Sequence, residues 1–232
     1  MKLFPVGLSL IVFALTLVIA PVALADEEKI DLDKLPKAVV DAIKAKFPDG
    51  KLVSAEKETE GDKTVYEVVV KNKDQNVEIV LTAEGKIVEI EQEVAAKDLP
   101  KAVTKTIEDK YPKATIKSAE SSTRDDKVTY TVLLENDVLV EKEKQRVQLQ
   151  LTAEGKVSAM RKRIAASDLP KAVAATLEKK YPKAEIKRVN EANEGDKVSY
   201  IVLLDTADES IMAVLDADGK VLEDQKGKKK GS

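Results

Sequence analysis

The chain has 232 residues, with 39 Lys plus Arg against 42 Asp plus Glu and a formal net charge of −3. It contains no His, no Cys and no Trp, which excludes a His-activated nucleophile, a thiolate nucleophile and a His or Cys metal site. The mildly acidic balance also argues against nucleic-acid binding, which needs a basic face to displace counterions from phosphates.

The N-terminal stretch MKLFPVGLSLIVFALTLVIAPVALA (1–25) has one Lys near its start, an apolar run and the ending Ala23-Leu24-Ala25. That small-residue ending is what a signal peptidase needs. The apolar run is interrupted by Pro21 and is short for a bilayer core of about 30 Å. A cleaved signal peptide is therefore expected, with a periplasmic or secreted chain from Asp26 onward. No Cys follows the run, so no lipid anchor is expected, and no later apolar segment suggests stable membrane insertion. Without disulfides, the exported chain must be held by its core or by neighbouring units.

Beyond Asp26 four landmarks recur. Leu-Pro falls at 35/36, 99/100 and 169/170; aromatic-Pro at 47/48, 111/112 and 181/182; Tyr at 66, 130 and 200; and a turn phrase at 82–86, 152–156 and 216–220. Leu-Pro and aromatic-Pro are twelve residues apart in every copy, whereas Tyr and the turn are 16, 22 and 16 residues apart. Constant spacing with one local insertion is what tandem duplication leaves. The reading is a signal peptide at 1–25, units at 26–96, 97–166 and 167–225, and a basic tail at 226–232. The extra residues of the second unit fall in ENDVLVEKEKQR (135–146).

Each unit opens with a helix. Leu99, Ala102, Val103, Thr106, Ile107 and Tyr111 follow one face of a 3.6-residue period. Asp98 is placed to cap it, Pro100 fits its first turn, and Pro112 stops it. The third unit repeats this with Asp168, Pro170 and Pro182; the first has Lys34 at the cap position. Strands follow. Tyr130, Val132 and Leu134 alternate within 127–134, Val147, Leu149 and Leu151 within 147–152, and Ile211, Ala213 and Leu215 within 211–216. A shorter strand near 114–120 comes directly after the helix. Glu84-Gly85, Glu154-Gly155 and Asp218-Gly219 read as hairpin turns in which Gly supplies positive φ. The fold class is α+β: three tandem repeats, each one helix packed on an antiparallel sheet of about four strands, with packing between neighbouring units.

The ordered recurrence of LPKAV (35–39, 99–103, 169–173), FP or YP, YEV, YTV or YIV, and AEGK or ADGK resembles the PepSY-like family related to β-lactamase inhibitor protein. The resemblance spans nearly all of residues 32–224. It implies exported bacterial proteins with a helix against a four-stranded antiparallel sheet, acting as non-catalytic binding or inhibitory modules.

The candidate functional residues are few. All six aromatics beyond the leader (Phe47, Tyr66, Tyr111, Tyr130, Tyr181 and Tyr200) occupy repeat landmarks, so they read as core and helix-end packing rather than exposed anchors. The turn DADGK (216–220) offers carboxylates but lacks the spacing of a calcium loop and reads as a hairpin. The insertion is the most individual stretch. Its Val138, Leu139 and Val140 form an apolar group on a longer hairpin arm, beside the basic run MRKR (160–163) with Arg161 and Arg163; these five are the candidate partner-binding residues. The tail from 226 has nothing to bury and is expected to be disordered.

The function expected is that of an exported, non-catalytic binding or inhibitor-like protein. Its partner would be an envelope or secreted protein, such as a peptidase or other envelope enzyme, recognised through sheet faces and loops. A structural or sensing protein that binds a cation or anionic polymer is the alternative, and a carboxylate-based hydrolase a third. No catalytic residue, metal ligand or cofactor is expected.

Overall fold

The structure, a computed structural model, describes residues 26–60 and 63–228. The expected signal peptide and the last four residues of the tail lie outside them. In chain order the elements are β1 (Asp26–Lys29), α1 (Lys37–Lys46), β2 (Lys51–Glu60), β3 (Lys63–Asn72), β4 (Gln75–Thr82) and β5 (Ile87–Glu93). Next come α2 (Lys101–Lys110), β6 (Thr115–Arg124), β7 (Lys127–Val140), β8 (Glu143–Thr152) and β9 (Val157–Ile164). The series ends with α3 (Lys171–Lys180), β10 (Glu185–Glu194), β11 (Lys197–Asp205), β12 (Glu209–Asp216) and β13 (Val221–Lys228).

The strands do not form three separate sheets. All thirteen described strands lie in one antiparallel sheet in strict sequence order, from β1 to β13. β5 pairs with β6 and β9 with β10, so the last strand of each of the first two units hydrogen-bonds to the first strand of the next. The reason is general: a strand left at an edge carries a row of unpaired N–H and C=O groups, and the neighbouring repeat supplies their partners. β1 was not anticipated. It sits against β2 as β5 sits against β6: Ile30 N–H donates to the Ala55 carbonyl at 3.0 Å, and Val94 N–H to the Ala119 carbonyl at 2.8 Å.

The helices are short because the sequence punctuates them at both ends. Pro100 precedes the first helical residue, and Tyr111, held by Pro112 away from helical geometry, ends α2 at φ −136°, ψ 61°. Asp98 is not the cap. Pro100 occupies that position without a side-chain cap bond, and Asp98 closes a short 3-10 turn over Ala96–Asp98. A proline forces its predecessor to be extended, and Leu99 is, at φ −63°, ψ 146°; this separates Asp98 from the helix. Asp168 and Pro170 repeat the arrangement.

Three cores result. Leu35, Val39 and Ile43 cluster with Val68, Val70, Val77, Ile79 and Leu81. Leu99, Val103 and Ile107 cluster with Val132, Leu134, Val147, Leu149 and Leu151, and Leu169, Val173 and Leu177 with Tyr200, Val202, Leu204, Ile211, Ala213 and Leu215. The alternation read from the sequence in β8 is the observed one: Val147, Leu149 and Leu151 are buried. Each such side chain contributes about 1.5–3 kcal/mol by leaving water. The aromatics pack at these cores: Tyr66, Tyr181 and Tyr200 are buried, and Phe47, Tyr111 and Tyr130 lie against them.

The second unit's extra residues lengthen one hairpin. β7 and β8 run to 14 and 10 residues, against 10 and 8 for β3 and β4. The register shifts between Asn136 and Leu139, and Glu141 and Lys142 turn the chain at φ 50° and 76°. At the other end, order continues further than expected. Lys226–Lys228 belong to β13 and pair with Glu209–Ile211, because the ladder of β12 offers backbone partners where the side chains offer no core.

Candidate functional site

All three helices lie over the same face of the sheet. Among the described residues, no helix supplies a core to the opposite face, which is called the open face below. The strand register assembles that face from residues that alternate with the core positions. Glu56 lies opposite Glu67, Glu67 opposite Val80, Val80 opposite Glu89 and Glu89 opposite Arg124. In the next line of residues Val69, Glu78, Glu91, Ser122 and Thr129 follow one another across β3 to β7. Glu93, Glu120, Thr131 and Gln150 run across β5 to β8, and Leu133, Gln148 and Arg161 across β7 to β9. In the third unit the corresponding positions are Ile201 and Val214, then Leu203 and Met212. The apolar core under each helix is thus built alike three times, while the open face changes from carboxylates, through Thr, Gln and Arg, to aliphatic side chains. Leu203 and Met212 are 37% and 36% exposed, whereas Val214 is buried.

The acidic part is the most perturbed electrostatically. Glu89 is buried but satisfied, accepting from the Ser122 hydroxyl and the Arg124 guanidinium. Its neighbour Glu91 is half-buried and shares a side-chain hydrogen bond with Glu89, another carboxyl. Burial, followed by repulsion from Glu89, Glu78 and Glu120, pushes the Glu91 carboxyl up to about 7. Burial first, and then other carboxylates, also raises Glu78 and Glu120. Glu78, Glu91, Glu93 and Glu120 line a notch of 340 Å³ bordered by Lys71, Asp74 and the first residues of β4, Gln75 and Asn76. Among the described residues, no group of three or more acidic side chains is arranged to hold a metal ion.

The five candidate residues are only partly brought together. Val138 and Leu139 project at the hairpin, 52% and 66% exposed, whereas Val140 is buried. Arg163 is the link to β9. Its guanidinium donates to Glu143 and, at 3.3 Å, to Glu141, both at the hairpin end, and its backbone carbonyl accepts from Gln145 at 2.9 Å. The hairpin is therefore strapped back onto the sheet. Arg161 belongs to the open face instead and donates to Gln148 at 2.7 Å; burial and the nearby Arg188 push its guanidinium down. In the DADGK turn, the Asp216 carboxylate accepts from the backbone amides of Asp218 and Lys220, at 3.1 and 2.9 Å, which is hairpin chemistry.

The carboxylate group was missed in the sequence, although Glu89, Glu91 and Glu93 alternate there with apolar or neutral residues at period 2. That signal places them on one strand face. It says nothing of Glu78 and Glu120, which arrive through pairings on either side.

These features define a tandem-repeat α+β protein with a conserved internal framework and a variable open sheet face. The family described as "Putative beta-lactamase-inhibitor-like, PepSY-like" matches residues 24–89, 84–159 and 152–223. The chain belongs to this PepSY-like family, in three tandem copies. No curated protein matches it. Among solved structures, it is similar to a BLIP-like protein from Bacteroides fragilis at 18% identity and a TM-score of 0.41, covering 52% of this chain and 80% of that one. A DUF2874 family protein from Bacteroides uniformis matches at 13% identity and a TM-score of 0.45, over 55% and 88% of the two chains. A protein from Bacteroides thetaiotaomicron described as a "putative calcium-regulated periplasmic protein" matches at 22% identity and a TM-score of 0.30, over 58% and 96%.

Proposed function

We propose that this is an exported, non-catalytic binding protein that recognises an envelope or secreted protein through the open face of its sheet. The observation carrying the proposal is the contrast between the faces. Three copies keep the core residues under the helices alike, as folding requires, while the open face differs in charge and polarity from unit to unit. Recognition needs such individuality, and a scaffold does not. The half-exposed Leu203 on β11 and Met212 on β12 supply an apolar patch, and Arg188 on β10 and Arg161 on β9, with the carboxylates of β4 to β6 further across the sheet, supply polar surroundings on its one side, as protein interfaces commonly do. The leader pattern at 1–25 supports export, and the family's inhibitor-like character agrees with a role without catalysis.

The test is capture from envelope extracts of the source bacterium with immobilised protein, followed by identification and direct titration of whatever is held. The double variant Leu203→Asp, Met212→Asp is expected to lose the captured protein while keeping its circular dichroism spectrum. Val138→Ser, Leu139→Ser is expected to retain it. Equal binding by the open-face variant, or turnover of a glycoside or peptide panel, would overturn the reading.

A further inference from the structure

The two seams joining the units are built differently. The second, between β9 and β10, has six register pairs, with Ile164 opposite Val189 and Lys162 opposite Glu191. The latter is a closed ion pair, with nitrogen and oxygen 3.2 Å apart. The first, between β5 and β6, has five pairs, and Glu93 lies directly opposite Glu120. Like charges directly opposed across an antiparallel pair weaken it. Glu91 sits between Glu89 and Glu93 on the same strand face and pairs with Glu78 on β4 and Ser122 on β6.

From this geometry we infer that the β5–β6 seam is a pH-sensitive joint, closed firmly when the carboxylates around Glu91 share protons and loosened when they are all ionised.

Every element around Glu91 supports the direction. On β5 it has Glu89 and Glu93, on β4 Glu78, and on β6 Glu120, Ser122 and Arg124. Glu56 and Glu67 lie beyond on β2 and β3. Of the nearby cations, Arg124 is committed to Glu89 within the group, and Lys71 donates to the Asp74 carbonyl at 2.7 Å. Burial first and the neighbouring carboxylates second hold the Glu91 proton up to about 7, against 4.5 for a free side chain. A carboxyl raised in this way binds more protons folded than unfolded. Its stabilising effect is therefore complete below about 4.5 and is lost as the pH rises through about 7. The second seam carries an ion pair instead of this cluster, so the two joints separate in behaviour over the same interval.

The experiment is hydrogen exchange on the full exported chain. The protection of backbone amides bridging β5 and β6, including Val94 N–H, is compared with that of amides bridging β9 and β10. Taking the ratio removes the intrinsic pH dependence of exchange. Between about pH 5.5 and about pH 8 the ratio is expected to fall about tenfold, which allows for solvent screening of a half-exposed group. In Glu91→Gln, whose amide cannot ionise, the ratio is expected to be flat. A flat ratio in the wild-type protein overturns the inference, as does a full fall retained by folded Glu91→Gln. Should that variant not fold, Glu120→Gln takes its place in the same comparison. The measurement needs no partner, so its outcome is separate from that of the binding proposal.

Discussion

Replacing Gly155 by Ala separates two reasons for a glycine at this turn. The residue has φ +80°, in the region where a side chain crowds the backbone. That conformation costs a non-glycine residue about 1–2 kcal/mol. A Cβ at Gly155 would also lie 2.4 Å from the Ala102 carbonyl oxygen and 2.8 Å from Thr106 Oγ1. The β8–β9 turn is pressed against the backbone of α2, and the Thr106 hydroxyl lies 2.8 Å from the Gly155 carbonyl. Relieving such a clash by shifting helix or turn costs a further ~1–3 kcal/mol. Gly195 is the internal control, because it has φ +56° but, among the described residues, nothing within 4 Å of where its Cβ would lie. Gly195→Ala is therefore expected to lose only the conformational part, and Gly155→Ala about 2–5 kcal/mol in all. Urea unfolding, with stability taken from the midpoint and slope of each variant, measures the difference. Losses equal within about 0.5 kcal/mol would show that the turn does not bear on the helix, and would remove the close approach from the account of how helix and sheet are held together.

Tyr181→Phe deletes a hydroxyl that donates to Asp224 at 2.7 Å and is expected to cost about 1.5 kcal/mol by urea unfolding. Lys180 and then Tyr181 hold the Asp224 carboxyl below the usual range, so its contribution is present above about pH 4 and is lost as the pH falls through its folded value. Asp224→Asn is expected to flatten that acid limb. Val138→Ser with Leu139→Ser is expected to change stability by less than about 0.5 kcal/mol, since both side chains already face water. Arg163→Ala removes the ion pairs with Glu141 and Glu143, at a cost of about 1 kcal/mol, and is expected to speed proteolysis at the 141–142 turn severalfold.

The local code of this fold was readable, and the long-range code was not. Leucine and valine spacing located the helices, period-2 alternation located the core strands, and Gly after Glu or Asp located the turns. Those signals are intrinsic to short segments. Thr106 was legible only as one member of a helical face; that its hydroxyl reaches the 152–155 turn depends on packing between elements 49 residues apart. Asp98 failed as a cap because two local preferences compete there, and the constraint imposed by Pro100 wins over the capping tendency of a carboxylate. The carboxylate group failed for a different reason. Its members come from three strands, and nothing within β5 specifies that β6, across a whole helix, will pair beside it.

Comparison of equivalent strands shows how one framework accommodates different neighbours. Ile90 on β5, Met160 on β9 and Asp224 on β13 occupy the same place, opposite Ile79, Leu149 and Ala213 respectively. Where the strand is paired on both sides, the residue is apolar. Where it forms the outermost described strand, it is a carboxylate. The helix-end tyrosine follows the change: Tyr111 turns its hydroxyl to the Met160 sulfur at 3.1 Å, and Tyr181 to the Asp224 carboxylate at 2.7 Å, reinforced by Lys180 at 2.8 Å. A charged, hydrogen-bonded side chain at that place keeps β13 from offering the apolar strip on which another strand would settle. The aromatic-Pro phrase that ends each helix is therefore shared scaffold, and the single residue facing it distinguishes a strand paired inside the sheet from one at its margin.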